Sequence, residues 1–408
     1  MNVLAVNCGS STLKFQLMDT AREVLPGEEQ ALAGGTVDAI PGAEAVLHFR
    51  SEEGHFRQTW PVYDHAEAAN RVLGWLESRN LVRYMDAVGH RVVHGADLFT
   101  EPVLINESVI QGIESLRDLA PLHNEPALAA IHAMRDSLEI RMVAVFDTAF
   151  HAAMPENAAR YAIPDNLAGR HRIRRYGFHG LAHRFMLERY SAITSRPAAD
   201  ARLVTLQLGN GCSAAAIERG CSVDTSMGFT PLEGMVMGTR SGNIDPSIPG
   251  YLARHEGIGI EEVEDRLNTK SGLLGVSGLS RDMRELMEAE SAGDARAALA
   301  IDIFCHSVRK YIAAYMAVLG GADAVIFGGG IGENSPGIRQ RICAGMDWCG
   351  LSVDPGRNRE AVGREGLIST DSARVRVYVV PVNEASVIAR EAARCLQGNG
   401  CRRVSPGT

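Results

Sequence analysis

Val3-Leu4-Ala5-Val6-Asn7-Cys8-Gly9-Ser10-Ser11 and Leu203-Val204-Thr205-Leu206-Gln207-Leu208-Gly209-Asn210-Gly211-Cys212-Ser213 follow one pattern. Each is an apolar run of strand length, a turn of small residues, and the start of a second strand. A spacing of about 200 residues is too long for a solenoid repeat and fits a duplicated domain with a ligand held between the copies.

The rest of the chain reads outward from these two stretches. Asp64 stands as the N-cap of a helix whose Ala69, Val72, Leu73 and Leu76 recur at i, i+3, i+4 and i+7. Ala87 to Val93 has the length and β-branched content of a buried strand, and Met142 to Phe146 repeats it after a helix starting near Asn124. This alternation predicts a largely parallel sheet in an α/β protein. Ile301, Phe304, Cys305, Val308, Ile312 and Tyr315 mark a long helix that stops at Gly320-Gly321. The strand Ala324 to Phe327 is followed by a glycine loop, Gly328 to Asn334, with Ser335-Pro336 as N-cap and first residue of a further helix. The strand Val375 to Val380 hands over to a helix beginning near Asn383-Glu384.

The chain has 408 residues, 46% hydrophobic and 22% charged, with a formal net charge of −8. That is two or three globular domains by length, and it excludes a fibre, a disordered tail and a disulfide-stapled miniprotein. The acidic balance without a basic block argues against nucleic acid or an anionic membrane as partner. Apolar runs fall well short of the roughly 20 residues a bilayer needs, and Met1-Asn2-Val3-Leu4 lacks a cationic leader. The cysteines show no C-x-x-C pair and read as free thiols in a reducing compartment. The expectation is a soluble cytoplasmic protein.

Turns rich in Gly and Ser bring backbone N–H groups close to a ligand and form anion nests. The candidates are Asn7 to Lys14, Leu208 to Ser213 and Gly328 to Asn334. One such turn is either a nest or an ordinary hairpin turn, and several at strand ends point to a nucleotide. Lys14 is either an exposed lysine or a point charge for phosphate, although the Walker A spacing is absent. Asp147 and Glu384 each follow an apolar strand, where open α/β sheets present ligands, and read as Mg²⁺ carboxylates or as helix caps. Arg91, in a buried-looking strand, and Arg240 need anionic partners: a structural salt bridge or a bound carboxylate or phosphoryl group. His90 and His94 are four apart on a strand, which separates the rings by about 13 Å. His179, four before His183, reads as a hydrogen-bond donor in a loop rather than a zinc ligand.

Taken together, these motifs closely resemble the acetate and propionate kinase family, short-chain carboxylate kinases of the actin, Hsp70 and sugar-kinase superfamily. The resemblance runs almost end to end: Asn7 to Lys14, His90 to Gly95, Ala120 to Pro126, Phe146 to His151, Tyr176 to Gly180, Leu208 to Gly211, Met227 to Arg240 continuing to Asp245-Pro246, Gly328 to Asn334, and Asn383-Glu384. It implies duplicated ribonuclease H-like domains flanking an interdomain cleft. One domain would comprise residues 1–149 plus 384–408 with a returning C-terminal helix; residues 150–383 would bind nucleotide and dimerise. It further implies a homodimer, ATP and ADP as co-substrates, Mg²⁺ with Mn²⁺ as a possible substitute, and reversible phosphorylation of acetate to acetyl phosphate by direct in-line transfer.

Carried over by position, Arg91 and Arg240 hold the carboxylate and the moving phosphoryl group, and Asp147 is an essential acid. Asn7 and Glu384 serve the metal, while His179 and Asn210 stabilise charge in transit. Ser10, Ser11, Thr12, Lys14, Gly209 and Gly211 line the phosphate path. Val93, Leu122, Phe178 and Pro231 resemble an acetate-methyl pocket, and Asp282, Arg284, Gly330, Ile331 and Asn334 a nucleoside site. The chain departs from the family pattern at Leu181 and Ala182, which replace two hydroxyl residues, and at Gln207 for a histidine, Asn243 for an aspartate and Val382 for a threonine. The runner-up reading is a propionate or related short-chain carboxylate kinase. A reading of another class is a non-catalytic ATP-binding assembly protein.

Overall fold

A computed structural model describes residues 1–20, 24–117, 119 and 121–398, the side chains of 121–123 aside. Its contacts divide the chain into two compact units: Met1–Ala152 together with the segment from Asn383 onward, and Ala153–Val382.

The first unit is built on an eight-stranded sheet. Its strands are β1 (Asn2–Cys8), β2 (Thr12–Asp19), β3 (Ala31–Asp38), β4 (Gly42–Ser51), β5 (Gly54–Val62), β6 (Ala87–Val92), β7 (Val103–Leu104) and β8 (Arg141–Phe146), in the order β5-β4-β3-β2-β1-β6-β8-β7. The second unit has a six-stranded sheet of β9 (Arg202–Leu208), β10 (Cys212–Glu218), β11 (Cys221–Thr225), β12 (Ala324–Gly328), β13 (Gly366–Leu367) and β14 (Arg376–Val379), ordered β11-β10-β9-β12-β14-β13. The run β3-β2-β1-β6-β8 and the run β11-β10-β9-β12-β14 are one topology, a hairpin pair followed by two parallel crossovers.

The expectation of a largely parallel sheet is therefore corrected. Only β1–β6, β6–β8, β9–β12 and β12–β14 pair in parallel. The small-residue turns after Cys8 and Leu208 reverse the chain into antiparallel hairpins, with Gly9 N donating to Thr12 O at 2.8 Å and Gly209 N to Gly211 O at 3.1 Å. Parallel pairing occurs where a helix-bearing crossover intervenes.

Local signals explain the helices that position the site. Asp64 caps the helix His65–Ser78 by accepting from Glu67 N at 2.7 Å, a bond worth about 1 kcal/mol. That helix buries Val72, Trp75 and Leu76 against Leu4, Phe15 and Leu17 of the sheet. The helix expected near Asn124 begins at Pro121 and runs to Ser137. The helix Glu384–Leu396 opens with Asn383 accepting from Ser386 N at 3.2 Å and packs on β1 and β6. Gly89 permits that contact, since a Cβ there would lie 2.8 Å from Ile388 Cγ2 and 3.2 Å from Ala392 Cβ.

A second correction concerns residues 328–334, expected as a glycine loop. Gly329–Asn334 is helical and leads into the helix Pro336–Cys343, where Pro336 takes the first position as expected but Ser335 makes no capping bond with its side chain. Tertiary ties override the low helix propensity of glycine. Glu333 Oε1 accepts from Gly329 N at 2.8 Å, and Arg339 Nη1 donates to the carbonyls of Gly332 at 2.7 Å and Glu333 at 3.0 Å. Gly329 is needed for its backbone, at φ +75, and because a methyl there would lie 2.6 Å from Leu208 O.

Cys8, Cys212, Cys221, Cys305, Cys343 and Cys349 are free, whereas Cys395 is disulfide-bonded, which corrects the expectation of free thiols throughout. Among the described residues no helix is long and apolar enough to cross a membrane.

Candidate active site

In the first unit the strand register sets Lys14, Asn7 and Arg91 in one row across β2, β1 and β6. Directly opposed residues present their side chains on the same face. Arg91 Nε and Nη2 donate to Asp147 Oδ2 at 3.0 and 2.5 Å, and Nη1 donates to Asn7 Oδ1 at 2.8 Å. Asn7 Nδ2 in turn donates to Glu384 Oε2 at 2.7 Å. Burial works against the Arg91 cation, but the carboxylates of Asp147 and Glu384 outweigh it and raise its pKa. Arg91 thus has the ion-pair partner that one of its two readings required, and its guanidinium is held in a fixed orientation.

Asp147 is fully buried, and among the described residues its Oδ1 has no hydrogen-bond partner. A buried carboxylate oxygen left unpaired is costly and is the donor a divalent cation would take up. Mg²⁺ typically binds one or two carboxylates and completes its shell with phosphate oxygens and water. Asp147 and Glu384, both acting electrostatically on Arg91, have the chemistry for such an ion.

The other residues expected in this unit lie around that row. Ser10 and Ser11 are exposed in the hairpin turn, Thr12 is half-buried and Lys14 exposed. His65, which sequence reading passed over, donates from Nε2 to Gly9 O at 2.8 Å and steadies that turn. Val93 is buried just beyond β6. Leu122 falls in the first turn of the helix Pro121–Ser137, with its side chain outside the described residues.

The second unit brings a different set together. Seven expected residues, Gly209, Asn210, Asp282, Arg284, Gly330, Ile331 and Asn334, line one cavity of about 500 Å³, a size suited to a small-molecule ligand. Arg284 pairs with Asp282 at 2.6 Å, and hydrogen bonds from Arg284 hold the Asp282 carboxyl down to about 2. Gly330 faces open space, with nothing within 4 Å of the place its Cβ would take. Gly330→Leu is therefore expected to fold normally and to fill part of this cavity, read as an unchanged thermal midpoint in calorimetry.

Arg240 adjoins this region through Gly211. A methyl on Gly211 would lie 3.5 Å from Arg240 Nη1, 3.5 Å from His179 Nε2 and 3.4 Å from His179 Cε1, so both side chains meet the turn at one spot. Arg240 Nη1 reaches Pro231 O at 3.3 Å and Met237 Sδ at 3.8 Å, and among the described residues it has no carboxylate partner. Burial lowers its pKa. A half-buried guanidinium without an acid is the arrangement of a site that receives an anion. Asn210 stands beside it, its Oδ1 2.2 Å from where a Gly238 Cβ would be, with Gly238 N donating to Asn210 O at 3.0 Å.

His179 precedes the helix Gly180–Thr194 in left-handed backbone, φ 57, a strained conformation that collects at functional sites. Its Nδ1 meets Ser213 Oγ at 2.9 Å, and His183 Nε2 meets the same oxygen at 2.7 Å. Phe178 is buried, and Pro231 is half-buried in the long segment Met227–Arg240. That segment is tied down by Glu233, which binds Arg175 Nη2 at 2.7 Å and the Tyr161 hydroxyl. Arg175, Tyr161 and Glu233 were not expected from sequence, and Ser213 was expected only as the end of the Leu208 to Ser213 turn.

Two copies of one hairpin-and-crossover sheet define a duplicated ribonuclease H-like α/β fold. The acetokinase family model matches residues 2–390, and the chain belongs to that family. An acetate kinase of Chloroherpeton thalassium is 47% identical, over 97% of this chain and 99% of its own. The crystal structure of Porphyromonas gingivalis acetate kinase superposes with a TM-score of 0.89 at 37% identity, covering 97% of this chain and 99% of that one. A propionate kinase structure from Francisella tularensis gives 0.89 at 38% identity, covering 96% and 99%.

Proposed function

We propose that the chain catalyses reversible, Mg²⁺-dependent transfer of the γ-phosphoryl group of ATP to acetate, yielding acetyl phosphate and ADP. The observation that carries this reading is Arg240, a half-buried cation without an acid partner among the described residues, meeting His179 at a glycine turn whose next-door residues line the nucleotide-sized cavity.

An acetate oxygen is already ionised, so the acceptor needs no general base; it forms the new P–O bond as the bond to the ADP oxygen breaks and ADP leaves with that electron pair. The barrier is the repulsion between two anions, and fixed positive groups and dipoles lower it. Arg91 and Arg240 hold the carboxylate and the transferring phosphoryl, and His179 and Asn210 bond its oxygens. Ser10, Ser11, Thr12, Lys14 and the Gly209–Gly211 turn line the phosphate path. Val93, Leu122, Phe178 and Pro231 receive the methyl group, while Asp282, Arg284, Gly330, Ile331 and Asn334 hold the nucleoside. Asp147 and Glu384 would hold Mg²⁺, with Asn7 orienting Glu384; when bound, the ion offsets phosphate charge.

Incubation with Mg-ATP, acetate and hydroxylamine is expected to give acetate-dependent hydroxamate. No hydroxamate, with polymerisation on ATP, would replace the reading with that of an assembly protein. The likeness to a propionate kinase structure favours that acid as the second reading. One methylene changes kcat/KM by about 10 to 200-fold, so acetate, propionate and butyrate compared side by side decide between them.

The same reading makes the protein a cytoplasmic homodimer. Ile248 and Tyr251, three apart on one helix, and Ile260 on the adjoining helix are exposed apolar side chains suited to a second copy. Sedimentation equilibrium reads the mass directly.

A further inference from the structure

We propose that Thr205, His183 and Ser213 form a one-way hydrogen-bond relay that fixes His179 as the neutral tautomer with its proton on Nε2. The proposal deepens, and rests on, the reading of His179 as a donor to the transferring phosphoryl group.

The relay is continuous. Thr205 Oγ1 meets His183 Nδ1 at 2.8 Å, His183 Nε2 meets Ser213 Oγ at 2.7 Å, and Ser213 Oγ meets His179 Nδ1 at 2.9 Å. The fold builds it from two sources. His179 is the N-cap of the helix Gly180–Thr194 and His183 stands in its first turn, and both rings reach the Ser213 hydroxyl. Thr205 pairs with Ala215 and Gln207 with Ser213 across β9 and β10, which puts both hydroxyls on one sheet face, two residues out of register. Thr205, His183 and Ser213 are all fully buried.

Proton counting gives the relay its direction. A neutral imidazole has one donor and one acceptor nitrogen, and a hydroxyl has a single proton. If protons point toward His179, Thr205 donates to His183 Nδ1, His183 Nε2–H donates to Ser213, and Ser213 donates to His179 Nδ1. Every proton in the relay is then used, and His179 is left with Nε2–H. If they point the other way, the Thr205 hydroxyl must find another acceptor. Among the described residues it meets only His183, so a buried hydroxyl proton would be left without a partner, the costly case. A charged His183 would put an ion into the core, which is also costly. The favoured direction therefore turns His179 Nε2 into a donor at the place where it and Arg240 Nη1 both stand 3.5 Å from a Gly211 methyl position.

Thr205, His183 and Ser213 are positioning residues in this scheme. The test is the nitrogen-15 correlation spectrum of the histidine rings in the intact protein, with His179 assigned by its loss in His179→Gln. The expected result is a protonated Nε2 and an unprotonated Nδ1 on His179. Thr205→Val, which keeps the shape and removes the starting proton, is expected to mix or invert the tautomer. It should lower kcat by about 10 to 100-fold, the usual cost of losing an orienting hydrogen bond behind a working ligand, with the KM for acetate unchanged. Thr205→Ser is expected to restore both. A protonated Nδ1 in the native protein, or a Thr205→Val protein with unaltered tautomer and kcat, overturns the relay. The Nε2–H tautomer without acetate-dependent hydroxamate would keep the relay and overturn the kinase reading, and hydroxamate with an Nδ1–H ring would do the reverse.

Discussion

Arg240→Met is expected to lower kcat by about 10³-fold or more, the scale of an arginine that stabilises a transferring phosphoryl group, while the thermal midpoint stays level or rises. The two halves of this expectation share one cause. Among the described residues the Arg240 side chain hydrogen-bonds only to the Pro231 carbonyl and the Met237 sulfur, and burial lowers its pKa with no carboxylate there to offset the charge. Removing it strands no carboxylate, so the fold loses a poorly compensated charge and gains apolar packing. The same feature that makes the residue dispensable to folding makes it available to an anionic substrate. Arg240→Lys keeps the charge but not the planar fork, and its kcat is expected to fall steeply as well. Turnover from an ADP-coupled assay and the midpoint from calorimetry test both halves. Wild-type turnover in Arg240→Met would remove the residue from the mechanism; a large drop in midpoint would mean that the arginine holds the fold.

The second large effect is of the opposite kind. Arg339→Met is expected to destabilise the protein by about 3 to 5 kcal/mol, read from urea unfolding, and to weaken nucleotide binding in whatever fraction stays folded. Arg339 is completely buried, and burial lowers its pKa to about 10. Its partners are nearly all backbone: Nη1 donates to Gly332 O and Glu333 O, and Nη2 to Asn358 O at 2.8 Å and Ala361 O at 2.7 Å, with Nε on Asn358 Oδ1 at 2.8 Å. Truncation leaves those acceptors buried and unpaired. Two of them end the helix Gly329–Asn334, which lines the nucleotide-sized cavity through Gly330, Ile331 and Asn334. A loss below about 1 kcal/mol, the net worth of one ordinary hydrogen bond, would show that this helix does not depend on Arg339.

What could be read from sequence follows from which interactions are local. β1, β6, β8, β9, β12 and β14 are mostly apolar and mostly buried along both faces, and such stretches announce themselves. β3, β4 and β5 do not, because they alternate and carry Gly34, Gly35, His48 and Arg57 among their paired positions. Missing them led to the expectation of a parallel sheet. Arg91 and Asp147 were legible because a charge within or at the end of an apolar strand demands a reason. Thr205 and Ser213 were not, since their meaning arises only from the register of two strands and a helix laid across them. His65 and Arg339 act on backbone carbonyls remote in sequence, for which no motif exists. Duplication was visible in two short stretches, yet the register shows more: Lys14, Asn7 and Arg91 correspond in position to Ser213, Gln207 and Gly328. One copy kept charges at its sheet end, and the other has neutral groups.

The helix Glu384–Leu396 gives the molecule a timetable. Residues Ala153–Val382 form one uninterrupted stretch of chain and can fold as they leave the ribosome, whereas the sheet that begins at Asn2 must wait for the helix Glu384–Leu396, made after them. Until then Gly89 and its neighbours on β6 lack the cover of Ile388 and Ala392, and Asn7 has no Glu384 to hold. A message broken before codon 384 thus yields a polypeptide with one finished half and one sticky, uncovered half, a natural client for chaperones and proteases.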